Sequence, residues 1–198
     1  MSEPYRTIEK ATEGLFKDRG SKFLAYAYPI SDVDEVKRLL EQLKTDHPAA
    51  RHVCYAYQMG TDAETYRAND DGEPNGSAGL PILNQIKSKD VTNVLVAVVR
   101  YFGGTKLGVS GLVTAYKEAA KAALDEAHVV EQIPSATLAL RFPHSSIGDV
   151  ERTVRQQDWN IKDQQFGMDC NWTIELAEAE LDKAKELFSV LPDVILLA

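Results

Sequence analysis

Three short stretches hold the residues best suited to chemistry. From Arg100 to Gly111 the chain reads RYFGGTKLGVSG. Glycines there let a backbone take conformations that a β-carbon forbids, and let a ligand approach the main chain. A helix that starts in such a loop offers unpaired N–H groups and a positive dipole end, which together favour an anion. Arg100 and Lys106 would add charge. Gly103 and Gly108 have phosphate-loop spacing, but Val109-Ser110 stand where Lys-Ser/Thr belongs, and no G-x-G-x-x-G is present. The competing reading is a tight turn in which Gly103, Gly104 and Gly108 only permit close strand–helix packing.

The second stretch, Asp70-Asp71-Gly72-Glu73-Pro74, gathers three carboxylates in four residues. Hard cations such as magnesium and calcium take oxygen ligands of this kind. Paired carboxylates also do acid–base work where burial raises one pKa. The spacing fits no EF-hand loop, and an Asp that caps its own turn is the plainer reading. In the third stretch, His52 and Cys54 lie two apart on an expected strand and so face the same side. With Asp70 or Asp71 near, they would imitate a nucleophile–base pair or metal ligands. A strand Cys is also a small buried hydrophobe. Arg51 beside them is a further phosphate candidate.

The elements that position these residues follow from periodicity. Residues 22–28 and 52–58 read as strands, with a third over 64–68. Ser31 is the expected N-cap of a helix whose apolar face is Val36, Leu39, Leu40 and Leu43. The Asp, Gly, Pro and Asn content of 70–81 makes it a loop, followed by a short helix to about residue 87. The β-branched run 91–99 suits a central strand buried on both faces. Arg100 is then the first residue free to leave the core. An amphipathic helix follows from about Leu112 to Leu124. A domain boundary is expected at 131–135, giving domains 1–133 and 134–198. Beyond it the order strand, helix, strand, strand, helix, strand is the ferredoxin-like β-α-β-β-α-β unit.

Composition sets the outer limits. The 198 residues carry a net charge of −8, with 44% hydrophobic and 26% charged side chains. Such a chain buries a core without staples. The acidity opposes a sequence-independent grip on nucleic acid over the whole surface, since phosphate binding needs clustered Lys and Arg. It leaves room for a local basic patch. Residues 134–198 hold 6 basic and 11 acidic side chains, so a polyanion site is expected in the first part. Cys54 and Cys170 form neither a disulfide framework nor a zinc pattern, so no metal or other cofactor is expected. No run is long and apolar enough for a membrane span or a signal peptide, and the cytoplasm is the expected compartment.

Four motifs in this order resemble the IMPACT/YigZ family over nearly the whole length. They are Arg19-Gly20-Ser21-Lys22-Phe23, Ala50-Arg51-His52-Val53-Cys54-Tyr55-Ala56, Asp70-Asp71-Gly72-Glu73-Pro74 with Gly76-Ser77-Ala78-Gly79, and Val99-Arg100-Tyr101-Phe102-Gly103-Gly104 with Leu107-Gly108 and Gly111-Leu112. The resemblance implies an α+β protein of two domains. The first is like domain IV of elongation factor G, with a left-handed β-α-β crossover. The second is ferredoxin-like, resembling domain V of that factor. It further implies a link to control of translation, which in eukaryotic relatives runs through a kinase-activating partner. Those relatives carry an additional N-terminal domain not expected here, so that partner is not carried over. The resemblance supplies no catalytic residue.

Two function classes follow. The first is a non-catalytic binding or regulatory factor in translation. Its partner is RNA, the ribosome or a protein of translation control, with Arg51, Arg100, Gly103, Gly104, Lys106 and Gly108 at the anion site. The alternative is a hydrolase, with or without a metal, peptidase-like or phosphoester-cleaving, built from Asp70, Asp71 and Glu73 with His52 or Cys54. The sequence does not fix the oligomeric state.

Overall fold

In the computed structural model, which describes residues 4–197, the α+β, two-domain expectation holds. The elements run β1 Tyr5–Ile8, β2 Thr12–Asp18, β3 Ser21–Pro29, α1 Val33–Asp46, β4 His52–Met59, β5 Thr65–Asn69, α2 Gly79–Lys89, β6 Val94–Tyr101, α3 Gly108–Asp125 and β7 Val129–Gln132. They continue with β8 Ser135–Phe142, α4 Ile147–Gln156, β9 Asn160–Phe166, β10 Cys170–Ala177, α5 Leu181–Ser189 and β11 Ile195–Leu197. The chain divides into two compact units, Tyr5–Gln132 and the residues from Ile133 onward. Among the described residues no helix is long and apolar enough to cross a membrane.

The first unit is built on β6. Its sheet has the order β2-β3-β6-β4-β5, and every neighbouring pair is antiparallel. Strands β3 and β4 are therefore parallel to each other, joined by α1 across β6. Val94 through Val99 are fully buried because both faces of β6 are covered. Leu95, Ala97 and Val99 face α1, where Val36 and Leu43 are buried. Val94, Val96 and Val98 face α2 and α3, together with Phe23, Cys54 and Tyr116. Each buried Val, Leu or Phe among them contributes roughly 1.5–3 kcal/mol by leaving water. The separate pair β1–β7 brings the ends of this unit together.

Two local expectations are corrected. The N-cap of α1 is Asp32, whose carboxylate accepts the Glu35 N–H at 2.7 Å; Ser31 instead donates to Glu35 from its N–H and its hydroxyl. Asp accepts a capping bond at least as well as Ser, so sequence alone did not separate the two neighbours. The second concerns Arg100, which does not leave the core. β6 continues through Tyr101, and Arg100 lies in register between Phe23 of β3 and His52 of β4.

The second unit has a four-stranded sheet in the order β11-β8-β10-β9 with antiparallel neighbours, the ferredoxin-like arrangement. One face of β8 and β10 packs on α4 and α5 around Trp172, which meets Phe142 edge-on at 5.2 Å.

Candidate functional site

The acidic loop folds around its own carboxylates. Asp70 accepts the N–H groups of Gly76, Ala78 and Gly79 at 2.8–2.9 Å. It thereby caps α2, whose N-cap residue Ala78 has no capping side chain. Burial pushes the Asp70 carboxyl up, but these three donors outweigh it and hold it below its ordinary value. Asp71 accepts the Val53 N–H at 2.7 Å, and its carbonyl oxygen lies 2.7 Å from His52 Nδ1. The loop is thus tied to β4, and Glu73 is turned inward.

Glu73 meets Arg100 there. Arg100 Nη1 donates to Glu73 Oε1 at 2.5 Å, and the two side chains are 9% and 5% exposed. Tyr116 of α3 donates to the same oxygen at 2.8 Å. The Cys54 sulfur lies 3.2 Å from the Tyr116 hydroxyl and 3.0 Å from the Asp70 carbonyl. Burial pushes both the Cys54 thiol and the Tyr116 phenol well above their ordinary pKa, so both stay protonated at neutral pH. The Arg100 guanidinium lies 5.5 Å from the Phe23 ring centroid and 5.6 Å from that of Phe102. These are cation–π distances.

The glycine segment closes the site. A β-carbon on Gly103 would sit 1.9 Å from the Gly20 carbonyl carbon, so the β2–β3 turn packs directly on it. Gly103 also donates its N–H to Ser21 Oγ at 3.1 Å. Gly104 is needed for a different reason: it has open space around it but a φ of +91°. The segment then leads into α3, which starts at Gly108 with no side-chain cap and no acidic residue in its first turn. The start of α3 borders a cavity of about 480 Å³, within the size range of ligand pockets.

Of the anion candidates, Arg51, Arg100, Lys106 and Gly108 line this cavity. Gly103 and Gly104 lie in the segment that leads into α3 and do not line the cavity. Of the enzyme candidates, His52 and Glu73 line the cavity, whereas Cys54, Asp70 and Asp71 do not. No cluster of three or more His, Cys, Asp or Glu able to hold a metal occurs among the described residues. Sequence reasoning missed the apolar wall of Phe102, Leu107, Val109 and Leu112, and also Tyr116. The signal for Tyr116 was a hydroxyl on the apolar face of α3, where burial requires it to find a partner.

Comparison with known proteins places this geometry in a wider set. The family model described as the Impact N-terminal domain matches residues 19–124. A second, described as a domain of unknown function (DUF1949), matches residues 140–189. The chain is 29% identical over 191 residues to the IMPACT family member YvyE of Bacillus subtilis, covering 96% of this chain and 88% of that protein. It is 33% identical over 143 residues to the IMPACT family member YigZ of Escherichia coli, covering 71% and 70%. A crystal structure of a hypothetical protein superposes over 100% of this chain and 98% of its own, with a TM-score of 0.74 at 27% identity.

Proposed function

The chain belongs to the IMPACT family, and from that premise we propose that it is a non-catalytic binding factor in translation control that grips RNA, free or on the ribosome. The observation that carries this reading is the cavity at the start of α3. Arg51 and Lys106 border it beside backbone N–H groups that have no capping side chain. An RNA phosphate supplies the negative charge and the acceptors such a helix start lacks. The net charge of −8 does not oppose this, because the basic residues are local. The link to translation rests on the family resemblance.

The hydrolytic alternative loses support at its nucleophile. The Cys54 thiol is fully buried, shares hydrogen bonds with Tyr116 and Asp70, and is kept protonated. A thiolate, not a thiol, attacks.

The test is cosedimentation with ribosomes and RNA across a salt series, with Lys106→Ala beside the natural protein. Loss of one phosphate contact flattens the log–log salt slope by about one unit, while an exposed Lys changes stability by no more than about 0.5 kcal/mol. Binding that ignores salt, or ribosome binding that survives ribonuclease through a protein alone, overturns the RNA reading.

A further inference from the structure

The floor of the cavity holds polar atoms that its own network leaves unused. Glu73 takes both of its hydrogen bonds, from Arg100 and from Tyr116, on Oε1. Oε2 has no partner among the described residues, although the side chain is only 5% exposed. Arg100 Nη2 is in the same position on a side chain 9% exposed. Neither atom is among the sealed, unpartnered ones of the described residues, which are Arg100 Nε, Gln58 Oε1 and Trp172 Nε1. Both thus keep some exposed surface, on residues that line the cavity. His52 adds a third atom. Its Nδ1 faces the Asp71 carbonyl, which can only accept, so Nδ1 donates there, and Nε2 has no partner among the described residues.

The floor therefore offers an acceptor, Glu73 Oε2, and a donor, Arg100 Nη2. A phosphate does not fit there, because Glu73 Oε2 would face a second anion. The floor calls for a group with N–H donors beside an acceptor. The wall calls for a flat apolar surface, since Phe102 is half-exposed beside Leu107, Val109 and Leu112. The rim, with Lys106, Arg51 and the start of α3, calls for phosphate. A nucleotide joins all three in one unit: a π-face, a polar base edge and a phosphate.

We infer that the cavity takes one unstacked nucleotide of single-stranded RNA, base inward. The base lies against Phe102, its polar edge meets Glu73 Oε2 and Arg100 Nη2, and its phosphate stays at Lys106 and the first turn of α3. The inference rests on the RNA reading above and specifies what that site holds.

The test compares two labelled oligonucleotides of equal length by fluorescence anisotropy, one with bases and one abasic. Both carry the same phosphates. The base-bearing strand binds about tenfold tighter, the scale of one base–aromatic stack. Phe102→Ala brings the two affinities within about twofold of each other, and Phe102→Tyr restores the difference, because a second aromatic ring offers the same π-face. Phe102 is half-exposed, and thermal melts of both variants check that the fold is kept. Equal binding of the two strands by the natural protein overturns base recognition and leaves backbone binding intact. So does a base preference that Phe102→Ala leaves unchanged. If neither strand binds, the RNA reading fails and takes this inference with it.

Discussion

Glu73→Ala tests the pair at the centre of the site. The substitution leaves the Arg100 guanidinium buried with no carboxylate, beside an Nε that already has no partner. Removing one member of a buried ion pair costs about 3–5 kcal/mol, because the other charge stays desolvated. At about 2.1 cal/mol/K of unfolding entropy per residue, the unit Tyr5–Gln132 loses roughly 4 °C in Tm for each kcal/mol. Glu73→Ala then lowers Tm by about 11–19 °C. The double variant Glu73→Leu with Arg100→Met removes both charges, and it recovers to within about 1 kcal/mol of the natural protein, since an apolar pair of similar volume costs little.

Urea denaturation followed by far-UV circular dichroism reads these values. Trp159 and Trp172 lie outside Tyr5–Gln132, so tryptophan fluorescence follows the other unit and serves as an internal reference. A shift of the midpoint at constant slope reports stability rather than compactness. The double-mutant cycle, with Glu73→Leu and Arg100→Met as its single variants, isolates the coupling, expected at about 2 kcal/mol or more on the scale of contacting residues. A loss below about 1 kcal/mol in Glu73→Ala, or additive single costs, refutes the claim that this pair organises the site.

Two further outcomes follow from the loop and the glycine segment. Asp70→Asn removes the charged acceptor of three N–H groups and costs about 2 kcal/mol at neutral pH. The folded Asp70 carboxyl lies below its unfolded value, so its contribution is complete above the unfolded pKa of about 4 and is lost as pH falls through the folded one. The stability gap between natural protein and variant therefore closes only in acid, and a gap independent of pH would contradict the assignment. Gly103→Ala destabilises more than Gly104→Ala: the first forces a β-carbon into the Gly20 backbone, the second costs only the positive φ, about 1–2 kcal/mol. Melting temperatures in the reverse order would refute this.

The strand β6 was legible because its run of β-branched residues is buried on both faces, and the second unit because β10 alternates with a period of two and α4 and α5 carry apolar faces at helical spacing. The strands β1, β2 and β7 were not. β1 and β7 are four residues each, and β2 at the sheet edge has no fully buried side chain, so neither length nor pattern marks them. The candidate residues were legible as types and not as partners. Arg100 and Glu73 are 27 positions apart, and only the anchoring of the acidic loop on β4 brings them together. Phe102 went unremarked because it sits beside glycines, which mark a loop, while its use depends on which way that loop opens.

The four motifs, dispersed through the first 112 residues, are one object in space. Register sets Phe23, Arg100 and His52 in a single row across β3, β6 and β4. Gly20, three residues before Phe23, backs Gly103, three residues after Arg100. Asp71 ties its loop to Val53, next to His52, and this brings Glu73 onto Arg100. Tyr116 closes the set from α3, edge-on to Phe23 at 5.1 Å and bonded to Glu73. A charged Arg in the middle of a sheet core is costly unless every one of these parts is present. A fold that needed only a core would fill the row with apolar side chains, as Val94 to Val99 do along the same strand. The site instead leaves a donor on Arg100 and an acceptor on Glu73 without partners at an apolar cavity, beside an uncapped helix start. Folding alone gives no reason for that arrangement, because half-satisfied polar groups weaken a core. A ligand that completes the hydrogen bonds gives one.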